Sequence, residues 1–92
     1  MLQLEEKIQE YEKVLTQAKE LEQELKKIIL EYSKMGLITQ KEIGYELGCS
    51  ESFISMVLNN KRYDKRLVML PIAKTTLRLI IEKKQKLQEE NL

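Results

Sequence analysis

Histidine is absent from this chain of 92 residues, and cysteine occurs once, at Cys49. Without imidazole there is no Ser–His–Asp triad, no histidine general base and no histidine-ligated zinc. A lone thiol with no histidine beside it is a poor start for nucleophilic catalysis, and it excludes an internal disulfide. The three glycines, Gly36, Gly44 and Gly48, do not make a phosphate-cradling loop. No apolar run approaches the roughly 18 residues of a membrane span, so no membrane partner is expected. The N-terminus lacks the basic and then apolar layout of a secretory signal, which makes the cytoplasm the expected location. No cofactor, no metal and no enzymatic activity are expected.

What remains is a charged, helical composition: 34% Asp, Glu, Lys and Arg, 42% apolar residues and one proline. The length allows one small domain and an appendage. A domain of this size buries a modest share of its surface, so a partner subunit is an expected source of further burial. Net charge is only +1, but its distribution is uneven. Residues 1–33 carry five lysines and eight glutamates, residues 34–78 eight basic and four acidic residues, and residues 79–92 three of each. Positive charge gathers in the middle of the chain, where a phosphate backbone would need it.

Residues 2–34 contain no glycine or proline and are dominated by Glu, Lys, Leu and Gln, which predicts a single long helix. Its apolar residues recur at spacings of three and four. Ile8, Leu15 and Ile29 occupy one heptad position; Leu4, Tyr11, Ala18, Leu25 and Tyr32 occupy the other. Glu22 interrupts the seam, with Leu21 beside it, and Ile28 widens the stripe where the helix enters a core. Such a helix spans about 50 Å, more than one small domain covers. Leu4, Ile8, Tyr11, Leu15, Ala18, Leu25 and Ile29 are therefore the expected coiled-coil dimer seam, in a homodimer or against another protein. A parallel pair would let two domains reach successive major grooves about 34 Å apart. An antiparallel pair would place them at opposite ends, where one operator is harder to span.

Gly36 is the expected left-handed stop of this helix. Thr39, with Glu42 three residues later, reads as a capping box for a helix at 40–47, and Gly48 ends that helix. Ser50 caps the next helix, at roughly 51–58. Residues 60–66 read as a basic loop. From Leu67 the pattern is helical again, with Pro71 either opening a last helix after a short one at 66–70 or kinking a single one. Ile72, Ala73, Leu77, Ile80, Ile81 and Leu87 make its expected stripe, and residues 88–92 should fray. The domain boundaries follow: an amphipathic helix over 1–34, a globular unit over 35–82 and a helix end and tail over 83–92. Lys83, Lys84 and Lys86 read as a solvated face.

Residues 40–59, QKEIGYELGCSESFISMVLN, carry the functional signal. Ile43 and Leu47 share one face of the first short helix; Ile54, Val57 and Leu58 share one face of the second. Gly44 stands where the two helices cross, and a side chain larger than Ala would hold them apart. Gly48 supplies the positive φ of a sharp corner, and Cys49 follows as a small core residue. This segment resembles the helix-turn-helix of the phage-repressor (Xre-like) family of DNA-binding transcriptional regulators, and the likeness extends from about Leu25 to Ile81. The resemblance implies an all-α, lambda-repressor-like domain here carrying a long N-terminal coiled coil. It implies that the first motif helix lies across the phosphates and the second enters the major groove. Gln40 would then touch a phosphate. Ser50, Glu51, Ser52, Ser55 and Met56 would meet the groove, and Asn59, Asn60, Lys61 and Arg62 would grip the backbone beyond. Among these, a carboxylate such as Glu51 accepts from a cytosine amino group, and Met56 reads thymine methyls or shape. The expected function is sequence-specific binding of double-stranded DNA by a dimeric phage or mobile-element regulator. The alternative is a DNA-recognition adaptor of a packaging, replication or partition complex, its N-terminal coil docked on a partner protein.

Overall fold

The computed structural model describes residues 2–59 and 66–90. Among them it is all-α, with helices α1 (Leu2–Lys34), α2 (Gln40–Leu47), α3 (Glu51–Asn59) and α4 (Arg66–Glu90). None of these helices is long and apolar enough to cross a membrane.

Helix α1 ends where glycine permits it. Gly36 takes φ +78°, so that the Leu37 N–H donates to the Tyr32 carbonyl at 3.0 Å and the Gly36 N–H to that of Ser33 at 3.1 Å. These two bonds satisfy carbonyls the helix would otherwise leave open. The chain then turns into the core through Ile38, which is fully buried, while Leu37 stays at the surface.

The core collects one or a few side chains from each element: Ile29 of α1, Ile38 of the connection, Ile43 of α2, Ile54, Val57 and Leu58 of α3, and Met69, Ile72 and Ile80 of α4. Each fully buried aliphatic side chain contributes about 1.5–3 kcal/mol of transfer free energy. Only the C-terminal part of α1 joins this core. Its first half carries Leu4, Ile8, Tyr11 and Val14 in the open.

Of the two readings of Pro71 the structure takes the single helix, with no separate one at 66–70; α4 departs from the expected pattern in its end, which continues to Glu90, and in its buried line. Pro71 is the sixth residue of α4, just past the first turn, so the helix forgoes the one N–H bond that this position would have made four residues back. The buried line is Met69, Ile72, Thr76 and Ile80, and Leu77, Ile81 and Leu87 of the expected stripe are exposed. Thr76 escaped an apolar reading of the sequence. Its hydroxyl is satisfied inside the core by donating to the Ile72 carbonyl at 2.8 Å.

Candidate nucleic-acid interface

The unit that would meet DNA is built from its turn. Thr39 is extended (φ −112°, ψ 149°), and its hydroxyl oxygen accepts from the Glu42 N–H at 3.1 Å. The Glu42 carboxylate in turn accepts from the Thr39 hydroxyl at 2.9 Å. At the other end of α2, Gly48 sits at φ 72°, and the Cys49 N–H donates to the Gly44 carbonyl at 2.8 Å. Ser50 then caps α3, its oxygen accepting from the Phe53 N–H at 3.1 Å.

Gly44 is tighter than its sequence position implied. A Cβ there would lie 2.7 Å from the Cys49 carbonyl oxygen, so even alanine is excluded. The constraint comes from the backbone of the turn itself and not only from the crossing of two helices.

With Ile54, Val57 and Leu58 in the core and Phe53 half-buried beside them, the rest of α3 faces outward. Glu51, Ser52 and Asn59 are exposed, and Met56 is 42% exposed. Ser55 is half-buried and engaged: the Asn59 amide donates to its carbonyl at 2.9 Å and to its hydroxyl at 3.2 Å. Asn59 and Ser55 thus form one polar unit at the last turn of α3. Gln40 is half-buried at the start of α2, and Ser50 is exposed but committed to its cap. Asn60, Lys61 and Arg62, with residues 63–65 of the expected basic loop, lie outside the described residues, and Arg66, expected in that loop, opens α4.

Three features escaped the sequence reading. The first is a basic edge supplied by α1. Lys27 and Lys34 are exposed one heptad apart, and they line a shared cleft with Leu58 and Asn59 at the end of α3. Lys26 of the same cleft is buried. The acidic total of α1 hides a division: residues 2–25 hold seven acids and three lysines, residues 26–34 three lysines and one acid. The signal available in the sequence was this change of sign along one helix.

The second feature is what happens to the acids of α2. Lys83 of α4 pairs with Glu42 at 2.6 Å and donates to the Leu37 carbonyl at 3.3 Å. Arg78 pairs with Glu46 at 2.9 Å and Glu82 at 3.0 Å. Lys83 is therefore a clamp rather than part of a solvated face. Its hydrogen bond is the main reason the Glu42 carboxyl is held below the ordinary glutamate range, with partial desolvation opposing it and Thr39 helping. Both α2 carboxylates are thereby turned toward α4 and compensated. The third feature lies on the outer side of α2, where Lys41 and Tyr45 are exposed, Tyr45 at 85%.

The expected seam on α1 divides in two. Leu4, Ile8 and Tyr11 are exposed, and Leu15 and Ala18 are half-buried. Leu25 packs partly against the domain, and Ile29 is 3% exposed in the chain's own core, so Ile29 presents no surface to a second helix. The apolar residues still open in this half are Tyr32, on the seam, and Leu21 and Ile28, one step around the helix. Comparison with protein-family models, with curated proteins and with solved structures finds no match for this chain.

Proposed function

We propose that α2 and α3 are a helix-turn-helix that binds double-stranded DNA sequence-specifically, with α3 in the major groove and α2 across the phosphates. The carrying observation is the outward face of α3. It shows Glu51, Ser52, Met56 and the Ser55–Asn59 pair to solvent while its opposite face is locked into the core. Hydroxyl and amide groups on a rigid helix are what base edges accept and donate to. Cations of α1, Lys27 and Lys34, border the end of that face, and the α2 acids that would repel phosphate are paired with α4. The resemblance of residues 40–59 to phage-repressor motifs supports the same docking.

In this reading the protein is a small cytoplasmic regulator of the phage or mobile-element kind, acting as a dimer joined through α1. A dimer doubles the contacts of a recognition face that lacks the strong arginine–guanine pairing. The exposed apolar residues of the first half of α1 also support a second reading, an adaptor whose coil docks on another protein of a DNA-processing complex. Selection of bound duplexes from a random DNA pool tests the proposal. A regulator enriches a defined site unaided, and its binding constant falls steeply with salt. Enrichment only with a partner protein favours the adaptor, and salt-independent or absent binding refutes both.

A further inference from the structure

The open seam does not stop where α1 joins the domain. Ile28 and Tyr32 of α1 face Ala73 and Leu77 of α4 across an apolar groove of about 280 Å³, with Lys74 on its rim. Ile28, Leu77 and Ile81 are exposed by 42%, 61% and 44%, large side chains that the chain itself leaves uncovered. The groove runs on into the bare stripe of Leu4, Ile8 and Tyr11. Each copy thus offers one long apolar ridge and one apolar trough on the same face.

We infer that two copies pair antiparallel, the first half of each α1 lying in the α1–α4 groove of the other. This rests on the dimer reading above and adds its orientation and its seat. Three observations carry it. The first is shape: a parallel pair sets trough against trough and leaves Leu77 uncovered, whereas an antiparallel pair sets ridge into trough.

The second is charge. One edge of the stripe carries Glu5, Glu12, Lys19 and Lys26 at intervals of seven, changing sign halfway. In an antiparallel pair with Leu15 opposite Ala18 of the second copy, Ile8 comes level with Leu25 and like edges face each other. Glu12 then meets Lys19 of the second copy, twice by symmetry, and both are exposed. In a parallel pair the same edge faces Lys7, Val14, Leu21 and Ile28: Glu12 would meet Lys7, but Lys19 is set against Val14 and Lys26 against Leu21, whereas the antiparallel pair matches Glu12 with Lys19 and Val14 with Leu21.

The third is spacing. Helix α3 borders α1 over residues 23–34. The symmetry axis would pass between residues 16 and 17, about twelve residues from the middle of that stretch. At 1.5 Å per residue the two α3 helices lie about 36 Å apart along the coil, close to the ~34 Å turn of DNA. That axis is perpendicular to the plane of the paired helices, so both domains emerge on one side. An antiparallel coil therefore suits a single operator, contrary to the expectation drawn from the sequence.

Disulfide trapping in a Cys49→Ala background tests this. Val14→Cys/Leu21→Cys should oxidise to a covalent dimer, since both positions are exposed and each meets the other across the pair. Within one chain they sit about 10 Å apart along the helix, too far to bridge. Tyr11→Cys should not cross-link, its two copies lying about 16 Å apart. Efficient cross-linking of Tyr11→Cys with none from the double variant would show a parallel pair and overturn the orientation while the dimer stands. Leu77→Lys, at an exposed site, should weaken dimerisation at least tenfold by sedimentation, and an unchanged association constant would remove α4 from the seat. A parent protein that sediments as a monomer at tens of micromolar would overturn the dimer itself, and duplex binding measured in the same samples would leave the helix-turn-helix reading to be judged separately.

Discussion

Gly44 and Gly48 show how differently two glycines four residues apart can be constrained. Gly48 needs freedom of φ, and nothing lies within 4 Å of a Cβ built there. Gly48→Ala should therefore cost about 1–2 kcal/mol from the left-handed backbone alone. Gly44 has an ordinary helical backbone, so alanine would gain about 1 kcal/mol of helix propensity. Against that stands a contact of 2.7 Å with a backbone oxygen that has no room to yield. Strain of this kind typically costs about 1–3 kcal/mol. Gly44→Ala should be the more disruptive to DNA binding, because relief requires moving α3 relative to α2. Urea melts and duplex affinity measured together check this, and a Gly44→Ala protein with the parent's midpoint and affinity would refute the close approach. At the reading face, Ser52→Ala should change which base pair is preferred at one position of the selected site, a lost contact being worth about 1–3 kcal/mol. Unchanged selection would place Ser52 away from the bases.

At the scale of elements, local rules carried far. Caps at Thr39 and Ser50, stops at Gly36 and Gly48, and the buried faces of α2 and α3 were legible because each depends on residues within a turn or two of one another. What was not legible depends on distant partners. Lys83 looked solvated beside the acids of α4, yet its partner Glu42 is on α2. Met69 and Thr76 joined the core line and Leu77 left it, because the position of α1 and α2 around α4 decides which edge of a broad stripe is covered. Lys27 was counted with the acidic residues 1–33 and Lys34 with the basic middle of the chain, and the fold sets both beside Asn59. If they border phosphates, replacing both by Ala should weaken binding to all duplexes alike and reduce the log–log salt slope by about one unit each. A slope equal to the parent's would separate that edge from DNA. The α2–α4 clamp has a pH signature. Glu42 titrates lower in the folded chain than when unfolded, so its contribution is present above the unfolded value near 4.5 and is lost as pH falls through the lower folded value. Both partners are over a third exposed, so the contribution is below about 1 kcal/mol. Glu42→Gln should flatten the stability profile below about pH 5 and leave it unchanged at pH 7 apart from that small constant loss. A parent-like slope in the acid range would mean that other carboxylates govern it.

For the whole molecule, the proposed binding of DNA turns on the uncovered half of α1. In the proposed docking a single domain would offer one short helix with hydroxyls, an amide and a thioether, which supports only modest discrimination. Two domains on one rigid coil add their contacts without a second loss of translational freedom, so the joint site is bound far more tightly than either half. The selected sites should therefore be inverted repeats whose half-site centres lie about 10 base pairs apart, one turn of the duplex. Ile8→Lys separates the two levels. Ile8 is 47% exposed and makes no part of the core, so each domain should keep its fold and its helical circular dichroism. The introduced ammonium sits in the middle of the apolar ridge, where pairing would bury it unpaired. The variant should sediment as a monomer where the parent is a dimer. It should bind an isolated half-site as the parent does, and lose at least a hundredfold in affinity for the full repeat. Equal affinity for the full repeat would show that the domains act singly and that α1 serves something other than operator recognition.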